Sequence, residues 1–352
     1  MQLKLHAFDL PLRHTFTISR ESITSQPTLI VELSQGGVSG YGEATSNKYY
    51  GFTIQRMARD LAALAPQLAG ERLDDPTALW ARCQPQLTAD PFALCALDQA
   101  AHDLRGKLRG QPTWKLWGLS TEKTPASDYT IGIDAIDVMV AKLNEFPGWP
   151  IYKIKLGTDR DLEIVRALRQ HTSATFRVDA NCGWTADQTI ANSTELKKLG
   201  VEFIEQPLKP QLPEADHRRV REQSALPIIA DESCIVESDV SKCRGLFHGV
   251  NIKLVKCGGL TPARRMIAEA RRLGLQVMVG CMTESTVGIS AIAQLLPLLD
   301  YVDMDGAVLL AEDVATGVTL DRGRCIFPSV PGNGVTLTRT GGNPFPDPTH
   351  HG

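Results

Sequence analysis

The chain has 352 residues, of which 43% are hydrophobic and 22% charged, with a formal net charge of −3. That balance is ordinary for a soluble globular protein and argues against nucleic acid or an anionic membrane as the main partner. The length exceeds a single hydrophobic core, so one large domain with a smaller companion is expected.

The opening MQLKLHAFDLPL alternates like a strand and lacks the apolar core of a signal peptide. No apolar run reaches the roughly 18 residues of a membrane-spanning helix. TLIVEL (28–33) alternates again, and GVSGYGEA (37–44) follows a Gly-Gly turn, which predicts a hairpin. Residues 53–69 and 91–109 carry apolar side chains at helical spacing. Strands followed by helices suggest a small α+β unit of about a hundred residues.

From about residue 127 the rhythm changes. IYKIK, TFRVD, EFIEQ, PIIAD, VNIKL, QVMVG and YVDMD read as short strands, with stretches such as DLEIVRALRQH and TPARRMIAEARRL as amphipathic helices between them. Strand–helix alternation on this scale predicts a parallel sheet, closed into a barrel in preference to an open doubly wound sheet. No G-x-G-x-x-G opens the first unit, so nothing points to a dinucleotide. The tail beyond about 320, rich in Gly and Pro, is expected either to pack back on the N-terminal unit or to stay partly disordered. Eight cysteines, at 83, 95, 182, 234, 243, 257, 281 and 325, form no C-x-x-C pair. That scatter suits reduced thiols in a cytoplasm better than a disulfide framework or a zinc site.

The ends of the strands carry the chemistry. Lys155 is followed by Asp179 in RVDANCGW, Glu205 in FIEQPL, Asp231 in IADES and Lys253 in NIKL, at spacings of 24, 26, 26 and 22 residues. Each spacing is about one strand–helix unit, so the five residues occupy equivalent positions on successive strands. In a barrel those ends converge on one mouth. Any one of the acids could simply cap the helix that follows it. Three together without a cation would repel one another, and an all-oxygen set with no His or Cys suits a hard ion, Mg²⁺ or Mn²⁺. Asn181 falls near this cluster without a ligand role, and Glu232, next to the inward-facing Asp231, is expected to face away from the metal.

Lys153 and Lys155 are two apart on one strand and share a face. A lysine acts as a base when its pKa is brought toward neutrality, which a neighbouring cation does. Lys155 is therefore a candidate base, with Lys153 as the neighbour that tunes it. Lys155 lies one strand before the acids and Lys253 one strand after. Two bases so placed could remove a proton from one face of a carbon and return it to the other.

The set K-I-K, D-A-N, E-Q-P, D-E-S and N-I-K, in this order, resembles the enolase superfamily in its muconate-lactonizing subgroup, and GYGEA near the N-terminus resembles its capping domain. The resemblance implies an α+β capping domain (1–120), a (β/α)7β modified TIM barrel (121–320) and a C-terminal segment (321–352) that completes the capping domain. It also implies Mg²⁺ held by Asp179, Glu205 and Asp231, and a lysine base working through an enediolate. Within the subgroup the chain is most similar to dipeptide epimerases. Asp303 and Asp305 in YVDMDGAVLL carry that likeness, because in the family this D-x-D binds the substrate's α-ammonium group. MVGCMTEST resembles the preceding strand and loop, which puts Met282 and Thr283 at the substrate.

The loops HTFTISRES (14–22) and NKYYGF (47–52) are expected to shape the pocket, with Ile18, Arg20 and Tyr50 touching the substrate. Members acting on L-Ala-L-Glu often carry an Arg seven residues after the Phe that matches Phe16; here that position is Ile23. The expected activity is inversion of the α-carbon of a dipeptide's C-terminal residue by two-lysine proton transfer, in a cytoplasmic enzyme, with homo-oligomers allowed. Other readings are an o-succinylbenzoate synthase or N-acylamino acid racemase, a muconate cycloisomerase, or a ligand-binding relic without catalysis.

Overall fold

The computed structural model describes residues 1–18 and 21–345. Three antiparallel strands open the chain, β1 (Gln2–Ile18), β2 (Glu21–Gln35) and β3 (Val38–Thr45). Gly36 and Gly37 join β2 to β3 at φ of 60° and 79°, the left-handed backbone that a two-residue hairpin loop requires. Leu29, Val31 and Leu33 of β2 face the main core, whereas Ile30 packs with Leu10, Val287 and Val335 in a separate cluster. The central strand is thus buried on both faces.

The helix Pro91–Arg109 lies across this sheet, capped by Asp90, which accepts from Ala93 N, and ended by Gly110 in the left-handed conformation. It approaches β3 so closely that a Cβ on Gly42 would meet Ala96 O at 2.1 Å, which is why GYG is written in glycines. The stretch 53–69 divides into helices Ile54–Ala62 and Ala65–Leu68, with Pro66 in the first turn of the second. A further helix, Pro76–Cys83, carries a Pro at its start and an Asp75 cap.

Eight parallel strands follow in sequential order: β4 (Tyr129–Ile131), β5 (Ile151–Lys155), β6 (Thr175–Asp179), β7 (Val201–Glu205), β8 (Ile228–Ala230), β9 (Gly249–Ile252), β10 (Gln276–Gly280) and β11 (Tyr301–Asp303). Ser127, just ahead of β4, bridges in parallel to Val302 of β11 and closes the ring. Helices fill each of the seven crossings, from Ile136–Glu145 after β4 to Thr286–Ala293 after β10, and β11 has only a short 3₁₀ turn after it. This is the (β/α)7β barrel expected from the strand–helix rhythm.

Outward-facing strand residues pack against the helices. Inside the barrel Phe203, Ile229 and Met278 form a small separate cluster, with Tyr301 against it. This apolar plug fills the barrel below the mouth, so the charged residues above it stand on a packed floor.

Two carboxylates from the N-terminal unit dock it to the barrel by capping barrel helices. Asp98 accepts from Thr261 N (2.8 Å) and Thr261 Oγ1 (2.7 Å) at the start of Leu260–Arg272. Glu43 of GYGEA is fully buried and accepts from Ser285 N (3.0 Å) and Gly288 N (3.0 Å) at the start of Thr286–Ala293. The segment after the barrel returns to the N-terminal unit. Asn333 N donates to Asp103 Oδ1 (2.7 Å), and Ala7 N donates to Gly342 O (3.0 Å).

Candidate active site

Register brings the ends of the strands to one level. Lys155 pairs with Asp179 and Asp179 with Glu205 across β5, β6 and β7, and Asp231 and Lys253 each follow the last residue of β8 and β9. One oxygen from each of Asp179, Glu205 and Asp231 lies within 4.8 Å of the others, and all three side chains are buried. Burial, with the charges of Asp179 and Asp231 adding to it and Lys153 opposing, pushes the Glu205 carboxyl up to about 7. A cation among the three removes that repulsion, and an all-oxygen set fits a hard divalent ion. Asn181 Oδ1, buried without a partner, adds another oxygen in the same cavity. The residues present therefore fit Mg²⁺.

The two candidate bases face each other. In a closed ring of eight strands, β5 and β9 are four apart and diametrically opposed. Lys155 Nζ lies 2.7 Å from Asp179 Oδ2, and Lys253 Nζ lies 3.1 Å from Asp231 Oδ2. Glu205 stands on the strand between those two acids. Burial disfavours the charged form of Lys253, but the charges of Asp231, Glu205 and Tyr50 together outweigh it and hold the ammonium above its ordinary range.

Lys153 is fully buried, with Nζ 2.7 Å from Glu205 Oε2, 2.7 Å from Asp303 Oδ2 and 3.7 Å from Asp179 Oδ2. The sequence leads one to expect an ammonium whose field acts on Lys155. In the structure its charge is matched by three carboxylates, because the inward face of β5 at this level meets acids from β6, β7 and β11.

Asp303 and Asp305 meet at the end of β11. One atom of each lies within 4.8 Å of the other and of Cys281 Sγ. Thr130 N donates to Asp305 Oδ2 at 2.6 Å. Burial, reinforced by the charges of Asp303 and Asp128, lifts the Asp305 carboxyl well above the usual carboxylate range. A second negative charge is costly there unless a cation accompanies it.

Several of these groups line one cavity of about 460 Å³ between the barrel mouth and the N-terminal unit, although Asp179, Glu205 and Lys153 are not among its lining residues. Lys155, Lys253, Asp231, Asp303 and Asp305 form its floor and far wall, and Ile18, Tyr50, Met282 and Thr283 all line it, as does Ile23. Arg20 lies outside the described residues. The end of β1 is tied to the barrel, because Ile133 N donates to Thr17 O at 2.8 Å. Glu232, expected to face away from the metal, stays outside the carboxylate cluster and lines the cavity. It lies beyond the end of β8, where the alternation of a strand no longer dictates direction.

Three participants escaped the sequence reading. Asn251 Nδ2 donates to Glu205 Oε1 at 2.7 Å, and its place two residues before Lys253 on β9 was the available signal. Gln206 Oε1 accepts from Asp231 N (2.9 Å) and Ser233 N (3.0 Å), tying the E-Q-P loop to the D-E-S loop. Its backbone sits at φ 32°, a left-handed conformation uncommon outside glycine. Lys256, fully buried, donates to Asp231 Oδ1 at 2.6 Å.

Two family models match the chain: the mandelate racemase / muconate lactonizing enzyme N-terminal domain over residues 3–118, and the enolase C-terminal domain-like model over 138–340. The chain belongs to the enolase superfamily. Among relatives in this superfamily, it is 60% identical to an L-Ala-D/L-amino acid epimerase of Flavobacterium johnsoniae over 96% of this chain and 100% of that one. It is 41% identical to an L-Ala-D/L-Glu epimerase of Bacteroides thetaiotaomicron over 95% of this chain and 88% of that one. Its fold matches the dipeptide epimerase of Cytophaga hutchinsonii complexed with Mg and D-Ala-L-Val, with a TM-score of 0.90, 27% identity and coverage of 96% of both chains.

Proposed function

We propose that the chain is a Mg²⁺-dependent dipeptide epimerase that inverts the α-carbon of a dipeptide's C-terminal residue. One observation carries the reading: Lys155 and Lys253 oppose each other across the carboxylate cluster, and Asp303 and Asp305 close the same cavity. Asp179, Glu205 and Asp231 are the residues that would hold Mg²⁺, which when bound supplies positive charge against the carboxylate next to the carbon losing its proton.

The chain's own groups do the rest. Asp303 and Asp305 take the free α-ammonium of the first residue; Asp303 is already paired with Lys153, so the second charge, on Asp305, supplies the attraction. That contact and the carboxylate at the other end fix the dipeptide at two points, which sets the second α-carbon between the lysines. One lysine accepts the α-proton on its face and the other delivers a proton on the opposite face. Ile18, Tyr50, Met282 and Thr283 wall the cavity and limit water around the reacting carbon.

No helix among the described residues is long and apolar enough to cross a membrane. We place the enzyme in the cytoplasm on its thiols: no disulfide joins the cysteines among the described residues, and all but Cys281 are buried.

The test is incubation of a dipeptide panel in D₂O. Deuterium should enter the second residue's α-carbon as the epimer appears. No incorporation with any free dipeptide sinks the reading, and equal turnover of N-acetylated forms transfers it to an N-acylamino acid racemase.

A further inference from the structure

Asp231 carries two lysines, and they differ in kind. Lys253 Nζ is 3.1 Å from Oδ2 and lines the cavity. Lys256 Nζ is 2.6 Å from Oδ1, 2.7 Å from the Asp231 backbone O and 3.4 Å from Cys234 O, with 1% of the residue exposed. Lys256 does not line the cavity and cannot meet a substrate there.

Its placement follows from the chain. β9 ends at Ile252 and a single helical turn, Leu254–Cys257, begins directly after Lys253. Residues three apart on such a turn lie on one side, so Lys253 and Lys256 both reach Asp231, one from the cavity and one from behind.

We infer that Lys256 is a positioning residue: it clamps Asp231 through both the side-chain Oδ1 and the backbone carbonyl, so that Oδ2 is the oxygen presented to the metal cluster. An ammonium that donates to two oxygens of one residue fixes that residue's χ angles as well as its charge. With Oδ1 paired to Lys256, Asp231 keeps a counter-ion when Lys253 turns to the substrate.

The clamp and a purely electrostatic role predict opposite results. Replacing Lys256 with a neutral residue makes the cluster more negative by one charge, so simple Coulomb attraction for a divalent ion rises. If Lys256 orients the ligand, affinity falls despite that gain, by about 10–100-fold, the usual cost of losing a residue that holds a metal ligand.

The experiment titrates Mn²⁺ into metal-free protein, following free Mn²⁺ by paramagnetic resonance, for the parent, Lys256→Met and Lys256→Gln. Both variants remove the charge, and Gln keeps a donor. Weaker binding in Met than in parent, with Gln between them, supports the clamp. Binding as tight as the parent's or tighter, in either variant, overturns it. Should Met not fold, Gln alone decides by the same criterion.

A second readout rests on the epimerase reading: at saturating Mn²⁺, Lys256→Met should slow α-proton exchange on the face served by Lys253 at least tenfold and leave the Lys155 face within a factor of two. Equal slowing on both faces removes the claim that Lys256 frees Lys253. A parent that exchanges no dipeptide proton refutes the epimerase reading while the metal titration still decides the clamp.

Discussion

Lys153 Nζ lies 2.7 Å from Asp303 Oδ2, joining the first lysine of KIK to the first acid of DMD around the side of the barrel. The same nitrogen is 2.7 Å from Glu205 Oε2. One buried ammonium therefore stands between the carboxylates that fit the metal and the carboxylates that fit the substrate's ammonium, and compensates both.

Lys153→Met should accordingly be severe. Removing one partner of a buried ion pair leaves the others uncompensated and typically costs about 3–5 kcal/mol. Urea unfolding of metal-free protein should show a loss of that order, with both KM and kcat impaired. A variant as stable as the parent, altered only in its pH profile, would restore the tuning role that the sequence suggests.

Asp179→Asn tests the metal cluster. The substitution keeps the shape but removes one charge from three converging oxygens. Mg²⁺ affinity should fall at least tenfold and epimerisation should be lost, with far-UV circular dichroism unchanged. Full activity of the parent in excess chelator would refute a divalent requirement.

The site was legible where it obeyed strand arithmetic. Lys155, Asp179, Glu205, Asp231 and Lys253 recur at the spacing of one strand–helix unit, and a closed barrel converts equal register into a common mouth. Asn251 was within reach of the same arithmetic, two residues from Lys253. Gln206, Lys256 and Glu232 were not, because they lie in turns beyond the strands, where neither period 2 nor period 3.6 holds. The role of Lys153 was hidden for another reason. Its face could be read, but which acids from distant strands meet that face depends on barrel closure between β4 and β11. The same holds for Glu43, legible as part of GYGEA but not as the cap of a helix about 240 residues later.

His102 makes the joint between the N-terminal unit and the barrel sensitive to acid. Its Nε2 is 3.0 Å from Thr261 Oγ1 and 3.7 Å from Asp98 Oδ1, and the residue is 4% exposed. Burial, helped by the charge of Arg264, lowers its pKa to about 3. The unfolded chain takes up this proton near pH 6.5 while the folded one refuses it, so the contribution of His102 to stability is full above that pH and declines as pH falls toward 3. The slope is at most about 1.4 kcal/mol per pH unit. His102→Gln should flatten the stability curve between pH 6 and 4.5, measured by urea unfolding; parallel curves would show that His102 titrates normally.

Asp303→Asn with Asp305→Asn should raise KM for free dipeptides sharply, because the bound ammonium loses its counter-charge. The parent should use N-acetylated dipeptides poorly. Steady-state kinetics on matched free and acetylated substrates measures both effects, and an unchanged ratio between them in the double variant would place the ammonium elsewhere.

The opposed lysines give the sharpest test. Lys155 and Lys253 stand on strands four apart in a ring of eight, so each reaches only one face of a carbon held between them. Neither can replace the other in a full inversion, and Lys155→Ala and Lys253→Ala should both abolish epimerisation. Each variant keeps one working base, which can remove the α-proton of one epimer and return a deuteron to the same face. Exchange without inversion should therefore survive in each, for opposite epimers. Proton nuclear magnetic resonance in D₂O, starting from each pure epimer in turn, reads this directly. Should both variants exchange the same epimer, or either retain full epimerisation, the two ammonium groups do not flank the reacting carbon.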